Sequence, residues 1–219
     1  MELSKFLKTL MLIMMTHLTQ SSFIIARDIF ASFLTQPAQN INEMITMKPT
    51  KHQVTFKEVT AENLPLLFQW FKQSYVQQWW PTPQKDEFFA NFLQRIRSKD
   101  TRPYLVFIDN KPIGYIQYYH IDRSLEKSGA WLPELPEATV GTDQFIGDPD
   151  YLGKGYGTLF IKEFIKYLTN TLEPHITTII VDPDPSNQAA IRCYEKVGFI
   201  VVGTFTTPHG LILLMRYDV

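Results

Sequence analysis

Gly153, Gly155 and Gly157 alternate through the run Leu152-Gly-Lys-Gly-Tyr-Gly157, immediately ahead of a long amphipathic stretch. Behind Thr158, the apolar residues Phe160, Phe164, Tyr167 and Leu168 recur at i, i+4, i+7 and i+8, which predicts a helix. Glycines at a helix entrance let several backbone N–H groups converge on one point, and the helix dipole favours negative charge there. A chain built this way is expected to receive a phosphate at that helix. The run is not a dinucleotide fingerprint, because Thr158 occupies the third glycine position and Asp148-Pro-Asp150 precedes the loop. Nor is it a Walker A loop, since Gly155 stands where Ser or Thr must follow Gly153-Lys154. The plainer alternative is that the glycines serve only a tight turn.

The surrounding elements follow from periodicity. Val54 and Phe56 alternate with Thr55 and Lys57 as in a half-buried strand, and Leu64, Leu67, Phe68 and Phe71 follow at helical spacing. A ring-rich loop over 74–83 precedes a second amphipathic stretch, 84–97, with Phe88, Phe89, Phe92 and Ile96. Strands are expected at 104–108 and 113–119, joined by a turn over 109–112. A further strand over 139–146 puts Val140, Thr142, Gln144 and Ile146 on one face and Gly141, Asp143 and Phe145 on the other. Gly141 beside Asp143 suggests a bulge or a close backbone approach. After a strand over 177–181, Pro185 and Ser186 are read as opening a last helix. Ala190, Tyr194 and Val197 share one face of it, and Gly198 ends it.

Composition removes several function classes. With 21 Lys+Arg against 22 Asp+Glu the chain lacks the basic excess of a nucleic-acid binder. Cys193 is the only cysteine, so no intramolecular disulfide forms, and the 5 histidines show no ligand spacing; no metal is expected. In the helix, without a neighbouring His, Cys193 reads as a buried structural residue. Residues 132–150 contain Glu134, Glu137, Asp143, Asp148 and Asp150 without one Lys or Arg, an acid concentration suited to a polycationic ligand. Residues 1–46 read as an N-terminal extension, helical or dispensable, with a helix over 23–34 and a polar linker. The apolar run 10–15 is too short to span a bilayer, so no stable membrane association is expected. Met47 is an alternative start, and residues 47–219 form the domain.

The glycine run and Asn187…Ala190…Tyr194-Glu-Lys196…Gly198-Phe199 together resemble the GNAT acetyltransferase superfamily, although Leu152 stands where that family usually has Gln or Arg. Closer still, the chain looks like the aminoglycoside 6'-N-acetyltransferases of the type I group. Trp79-Trp80, Ile113-Gly-Tyr-Ile-Gln117, Gly141-Thr-Asp-Gln144, Asp182-Pro-Asp-Pro-Ser-Asn187, Arg192-Cys-Tyr-Glu-Lys196 and Thr206-Thr-Pro208 carry that likeness, which covers about residues 52–217. The resemblance implies an α/β (α+β) domain with a mixed central sheet flanked by helices, and a cytoplasmic enzyme that is a monomer or weak dimer. It implies acetyl-CoA as donor and a polycationic amine as acceptor, the 6'-amino group of an aminoglycoside, with antibiotic resistance as the outcome. Asp143 matches the family carboxylate that takes the amine's proton, and Tyr194 the tyrosine beside the sulfur. Gln144, Phe145, Ile146, Gly153, Lys154, Gly155, Tyr156, Gly157, Thr158 and Asn187 would hold acetyl-CoA. Trp79, Trp80, Gln117, Trp131, Asp143 and Asp182 would meet the acceptor. Acetylation of hydroxylysine or another small amine, in siderophore or polyamine metabolism, and a non-catalytic acyl-CoA-binding module stay open as alternatives.

Overall fold

The computed structural model describes residues 52–122, 133–208 and 210–219. The expectations for residues 1–46, and that for Trp131, lie outside the described residues.

Seven strands form one sheet in the order β1-β2-β3-β4-β5-β7-β6. They are β1 (Val54–Glu58), β2 (Thr101–Ile108), β3 (Lys111–His120), β4 (Thr139–Ile146), β5 (Thr178–Val181), β6 (Ile200–Thr207) and β7 (Gly210–Asp218). All neighbours are antiparallel except β4 and β5, so the sheet is mixed, as expected. The β2–β3 hairpin turns on Asp109 and Asn110 alone, both left-handed at φ 49° and 67°. Lys111 and Pro112 therefore belong to the strand and not, as the composition suggested, to the turn. A register shift between Val106 and Phe107 lets the ladder pass Pro112, which has no N–H to give.

Helices α1 (Leu64–Phe71) and α2 (Lys85–Arg97) cover one face of the sheet, with a single helical turn at Ser74–Gln77 inside the ring-rich stretch. Leu64, Leu67, Trp70, Phe71, Phe88 and Phe92 pack there on Leu105 and Tyr115. Helices α3 (Tyr156–Tyr167) and α4 (Gln188–Val197) cover the other face. Phe160, Phe164, Ile191 and Tyr194 meet Val106, Ile116, Val140 and Ile179 on that side. Each fully buried side chain of this size contributes about 1.5–3 kcal/mol, so both helical layers are held firmly against the sheet. Period-2 alternation along β3 and β4 thus assigns side chains to two different environments: Gln117 and Asp143 to the α1/α2 side, Ile116 and Gln144 to the α3/α4 side.

The β3–β4 register runs from Gly114↔Ile146 to His120↔Val140 with no shift, so the bulge considered at Gly141 is absent. The glycine answers a close approach instead. A Cβ on Gly141 would lie 2.2 Å from the Tyr119 ring. The irregularity is on the other side of β4. Its parallel pairing with β5 covers only Thr139–Gly141 against Thr178–Ile180. β5 then ends at Val181, and its pairing with β4 is not taken up again by Asp182-Pro-Asp-Pro185. The Pro183 carbonyl turns the other way and accepts from Leu213 N at 2.8 Å. The strands part, and a wedge opens through the sheet.

Candidate active site

A cleft of about 560 Å³ fills this wedge. One wall is Thr142 to Ile146 of β4 and another is Asp182, Pro183, Asp184 and Asn187; α4 adds Ala190, Cys193 and Tyr194, and Tyr75, Trp79 and Trp80 close an end. Because β4 has lost its neighbour over 142–146, alternate residues there turn their N–H and C=O groups into the gap. The wedge also brings the two faces of the sheet into one space. Asp143 comes from the α1/α2 face and Tyr194 from the α3/α4 face, yet both line the same cleft.

Helix α3 begins beside it. Gly153 and Gly155 have φ of 69° and 85°, the left-handed region, so glycine is required at both by backbone conformation. A Cβ on either would meet nothing within 4 Å, which leaves open space in front of the helix entrance. The first-turn amides that follow have no partner inside the helix and face that space. Gly157 lines the cleft itself, while Gly153, Lys154, Gly155, Tyr156 and Thr158 lie beyond its lining. Thr158 Oγ1 is 3.4 Å from Cys193 Sγ, and Cys193 is half-buried on the cleft wall, so the reading of it as a purely structural thiol gives way to a lining position.

The α4 entrance differs from expectation. Pro185 and Ser186 form a turn, and Asn187 is the cap, its Oδ1 accepting from Ala190 N at 3.1 Å. That leaves the Asn187 side-chain NH2 as its donor toward a ligand. Gln144 Nε2 donates to the Tyr194 hydroxyl at 2.6 Å, so the phenolic oxygen accepts and its own proton remains to be given away. Burial pushes the Tyr194 phenol well up, which keeps it protonated in the free protein. Gln144 Oε1 is buried and lacks a partner, an acceptor that a ligand N–H would satisfy.

Across the cleft, burial raises the Asp143 carboxyl, opposed by a hydrogen bond from Gln117 and by the charge of Arg95. Asp182 is pushed up to about 7, first by burial and then by the Asp143 charge. Two carboxylates facing each other in a partly dry cleft repel, and a cationic ligand between them relieves the repulsion.

The predicted acid cluster is divided by the fold. Of its acids Asp143 lines the cleft; Glu134 and Glu137 are exposed, and Asp148 pairs with Lys111 at 2.8 Å. Gln117, expected to meet the acceptor, is 5 % exposed and absent from the cleft lining, because its position opposite Asp143 on β3 is covered by the α1/α2 layer. Trp79 lines the cleft, whereas Trp80 both lines it and packs edge-on against Phe71, Tyr115 and Phe145. Tyr75, Asp184 and Tyr119 were not anticipated. Tyr119 lies within electrostatic reach of Asp143, Asp182 and Tyr194 together. The i, i+2 spacing of Tyr115, Gln117 and Tyr119 is a signal that places all three on the Asp143 face once the strand pairing is known.

Residues 59–207 match the model of the acetyltransferase (GNAT) domain family. The chain is 34% identical over 167 residues to an aminoglycoside N(6')-acetyltransferase type 1 of Klebsiella pneumoniae, an alignment that covers 74% of this chain and 81% of the relative. It is 43% identical over 91 residues to a kanamycin resistance protein of Rhizobium radiobacter, covering 42% and 82%. Among solved structures, an aminoglycoside acetyltransferase in complex with coenzyme A and kanamycin superposes with a TM-score of 0.67 at 34% identity, covering 76% of this chain and 95% of that one.

Proposed function

The chain belongs to the GNAT acetyltransferase family, and we propose that this acetyl-CoA-dependent N-acetyltransferase acetylates a primary amine of an aminoglycoside, the 6'-amino group, and so confers resistance. One observation carries the reading: the wedge between β4 and β5 joins a paired-carboxylate wall, Asp143 and Asp182, to a wall holding Tyr194. The first suits a polycationic amine and the second a leaving thiolate.

The residues fit acetyl-CoA on their own chemistry. The α3 entrance, with Gly153, Lys154, Gly155, Tyr156, Gly157 and Thr158, suits the pyrophosphate. The unpaired backbone of Gln144, Phe145 and Ile146, the orphaned Gln144 Oε1 and the Asn187 NH2 suit the amides of the pantetheine arm. Asp143 anchors the acceptor ammonium and accepts its proton, which frees the nitrogen lone pair to attack the thioester carbonyl carbon. An N–H of the parted β4 backbone stabilises the oxygen as it gains charge. The C–S bond then breaks, and Tyr194 gives its proton to the departing thiolate. Asp182 and Trp79 orient the acceptor rings.

A cytoplasmic location and a monomer or weak dimer are part of this reading, as is the assignment of the whole activity to residues 47–219. Among the described residues no helix is long and apolar enough to cross a membrane. The test is a thiol-release assay with acetyl-CoA against kanamycin, hydroxylysine, spermidine and a peptide N-terminus, with NMR of the product. Kanamycin should be turned over with the highest kcat/KM and acquire its acetyl group on the 6'-nitrogen; preference for hydroxylysine or spermidine would overturn the acceptor assignment.

A further inference from the structure

A buried polar chain leads to Asp143 from behind. Gln117 Nε2 donates to Asp143 Oδ2 at 2.7 Å, and Tyr115 Oη donates to Gln117 Oε1 at 2.7 Å. The Arg95 guanidinium of α2 stands beside the Tyr115 hydroxyl and within electrostatic reach of Asp143. Tyr115 has no exposed surface and sits among Phe71, Trp80, Phe92 and Phe145, where a phenylalanine would pack without a hydroxyl to satisfy. Its hydroxyl instead makes the link between a cation and an amide. Every link has one polarity, with positive charge at the helix and donated hydrogens running toward the carboxylate. The chain engages Oδ2.

Fixed donors have a purpose here because burial works against the charge of Asp143 and the other titratable groups around it offer no cation. Asp182 faces it from the end of β5, Tyr119 from β3 and Tyr194 from α4, and none of them is cationic. Arg95, from α2, is the positive charge acting on Asp143.

We propose that Arg95, Tyr115 and Gln117 are positioning residues that fix the orientation of the Asp143 carboxylate and hold it ionised beside Asp182. This rests on Asp143 being the base of the reaction. The relay acts through Asp143 and touches neither substrate.

The test compares Arg95→Gln, Arg95→Lys and Tyr115→Phe with the wild type in the full chain. Carbon-13 NMR of the Asp143 carboxyl follows its ionisation, and kcat/KM for kanamycin is followed from pH 5 to 9. In Arg95→Gln the Asp143 midpoint and the acid limb of kcat/KM should both move up by about one pH unit, the scale of losing a nearby opposite charge. Tyr115→Phe, which keeps the ring, should move both by less, Arg95→Lys should restore most of the wild-type behaviour, and KM for acetyl-CoA should stay constant throughout. An unmoved Asp143 midpoint, an unmoved acid limb, or equal effects of Gln and Lys at position 95 would overturn the relay. Asp143→Asn, run alongside, separates the two claims: full activity in that variant removes the base itself, whereas a large loss there with unmoved Arg95 variants removes only the relay.

Discussion

The two walls of the cleft are built in opposite ways. The donor wall comes mainly from two local units, a glycine loop with its helix and one capped helix from Asn187 to Gly198, whose geometry their own residues dictate, joined by the unpaired backbone of β4. The acceptor wall is assembled from afar, with Asp143 on β4 and Asp182 past the end of β5, and Gln117 of β3 and Arg95 of α2 stand behind Asp143. The donor wall supplies backbone donors and one phenol, and the acceptor wall supplies negative charge. They meet where β5 stops at Val181 and β4 runs on without it. A site divided in this way lets the recognition of one substrate change while the other stays fixed, since the two sets of side chains grow from different faces of the sheet.

Substitutions should therefore separate cleanly by wall. The largest effect is expected from Asp143→Asn, which keeps the shape and removes charge and basicity. Its kcat/KM for kanamycin should fall about 100- to 10,000-fold, the range for losing a general base, with part of the loss recovered at high pH where more amine is neutral. Wild-type kcat/KM from pH 6 to 9 would remove Asp143 from the mechanism. Tyr194→Phe tests the donor wall. Turnover should drop about 10- to 1,000-fold with unchanged acetyl-CoA affinity, and unchanged turnover in stopped-flow thiol release would mean that the phenol is not the acid.

A smaller effect is expected at Asp182. Burial and then the Asp143 charge push its carboxyl up from the ordinary 3.8 to about 7, so across that window the folded state binds more protons than the unfolded chain. Stability therefore falls as pH rises through that window. Asp182→Asn should raise the Tm at pH 8 by about 2–4 °C, corresponding to ~1 kcal/mol in a domain of this size, and should change nothing at pH 3.5. The same variant should weaken kanamycin binding at pH 8 while sparing acetyl-CoA. Equal Tm values at pH 8 by calorimetry would mean that the carboxylate is solvated and not confronted by Asp143. Starting the chain at Met47 should have the smallest effect, because the matched family residues begin at Val59. Loss of acetyl-CoA binding in that shortened chain would bring residues 1–46 into the fold.

The same contrast explains what the sequence discloses. The α3 entrance and the face of α4 are legible because helical spacing and glycines act over a few residues. The β4 faces were legible from period-2 alternation, which correctly separated Gln144 from Asp143. The parting of β4 from its neighbour near Gln144 and Phe145 is implied by the family resemblance, but spacing and composition do not show that it begins where β5 stops at Val181. A sequence pattern shows where a strand stops, but not which neighbour it leaves. Burial of Gln117 escaped for the same reason, since alternation assigns a face without saying whether a helix covers it. The acid stretch misled because Asp148 and Asp143 are near in sequence but separated by the turn after β4, where Asp148 finds Lys111. Arg95 leaves no local signature at all; its relation to Asp143 exists only when α2 lies on β3.

The division of labour between the walls is tested most directly by calorimetric titration of coenzyme A and of kanamycin into Gly155→Val and Asp143→Asn. In Gly155→Val, coenzyme A should bind about 10- to 100-fold more weakly, the cost of one lost charge-assisted hydrogen bond or slightly more, while kanamycin binds as to the wild type. Asp143→Asn should show the reverse. If either variant weakens both ligands equally, or if Gly155→Val leaves coenzyme A affinity unchanged, the two walls do not act separately and the account is contradicted.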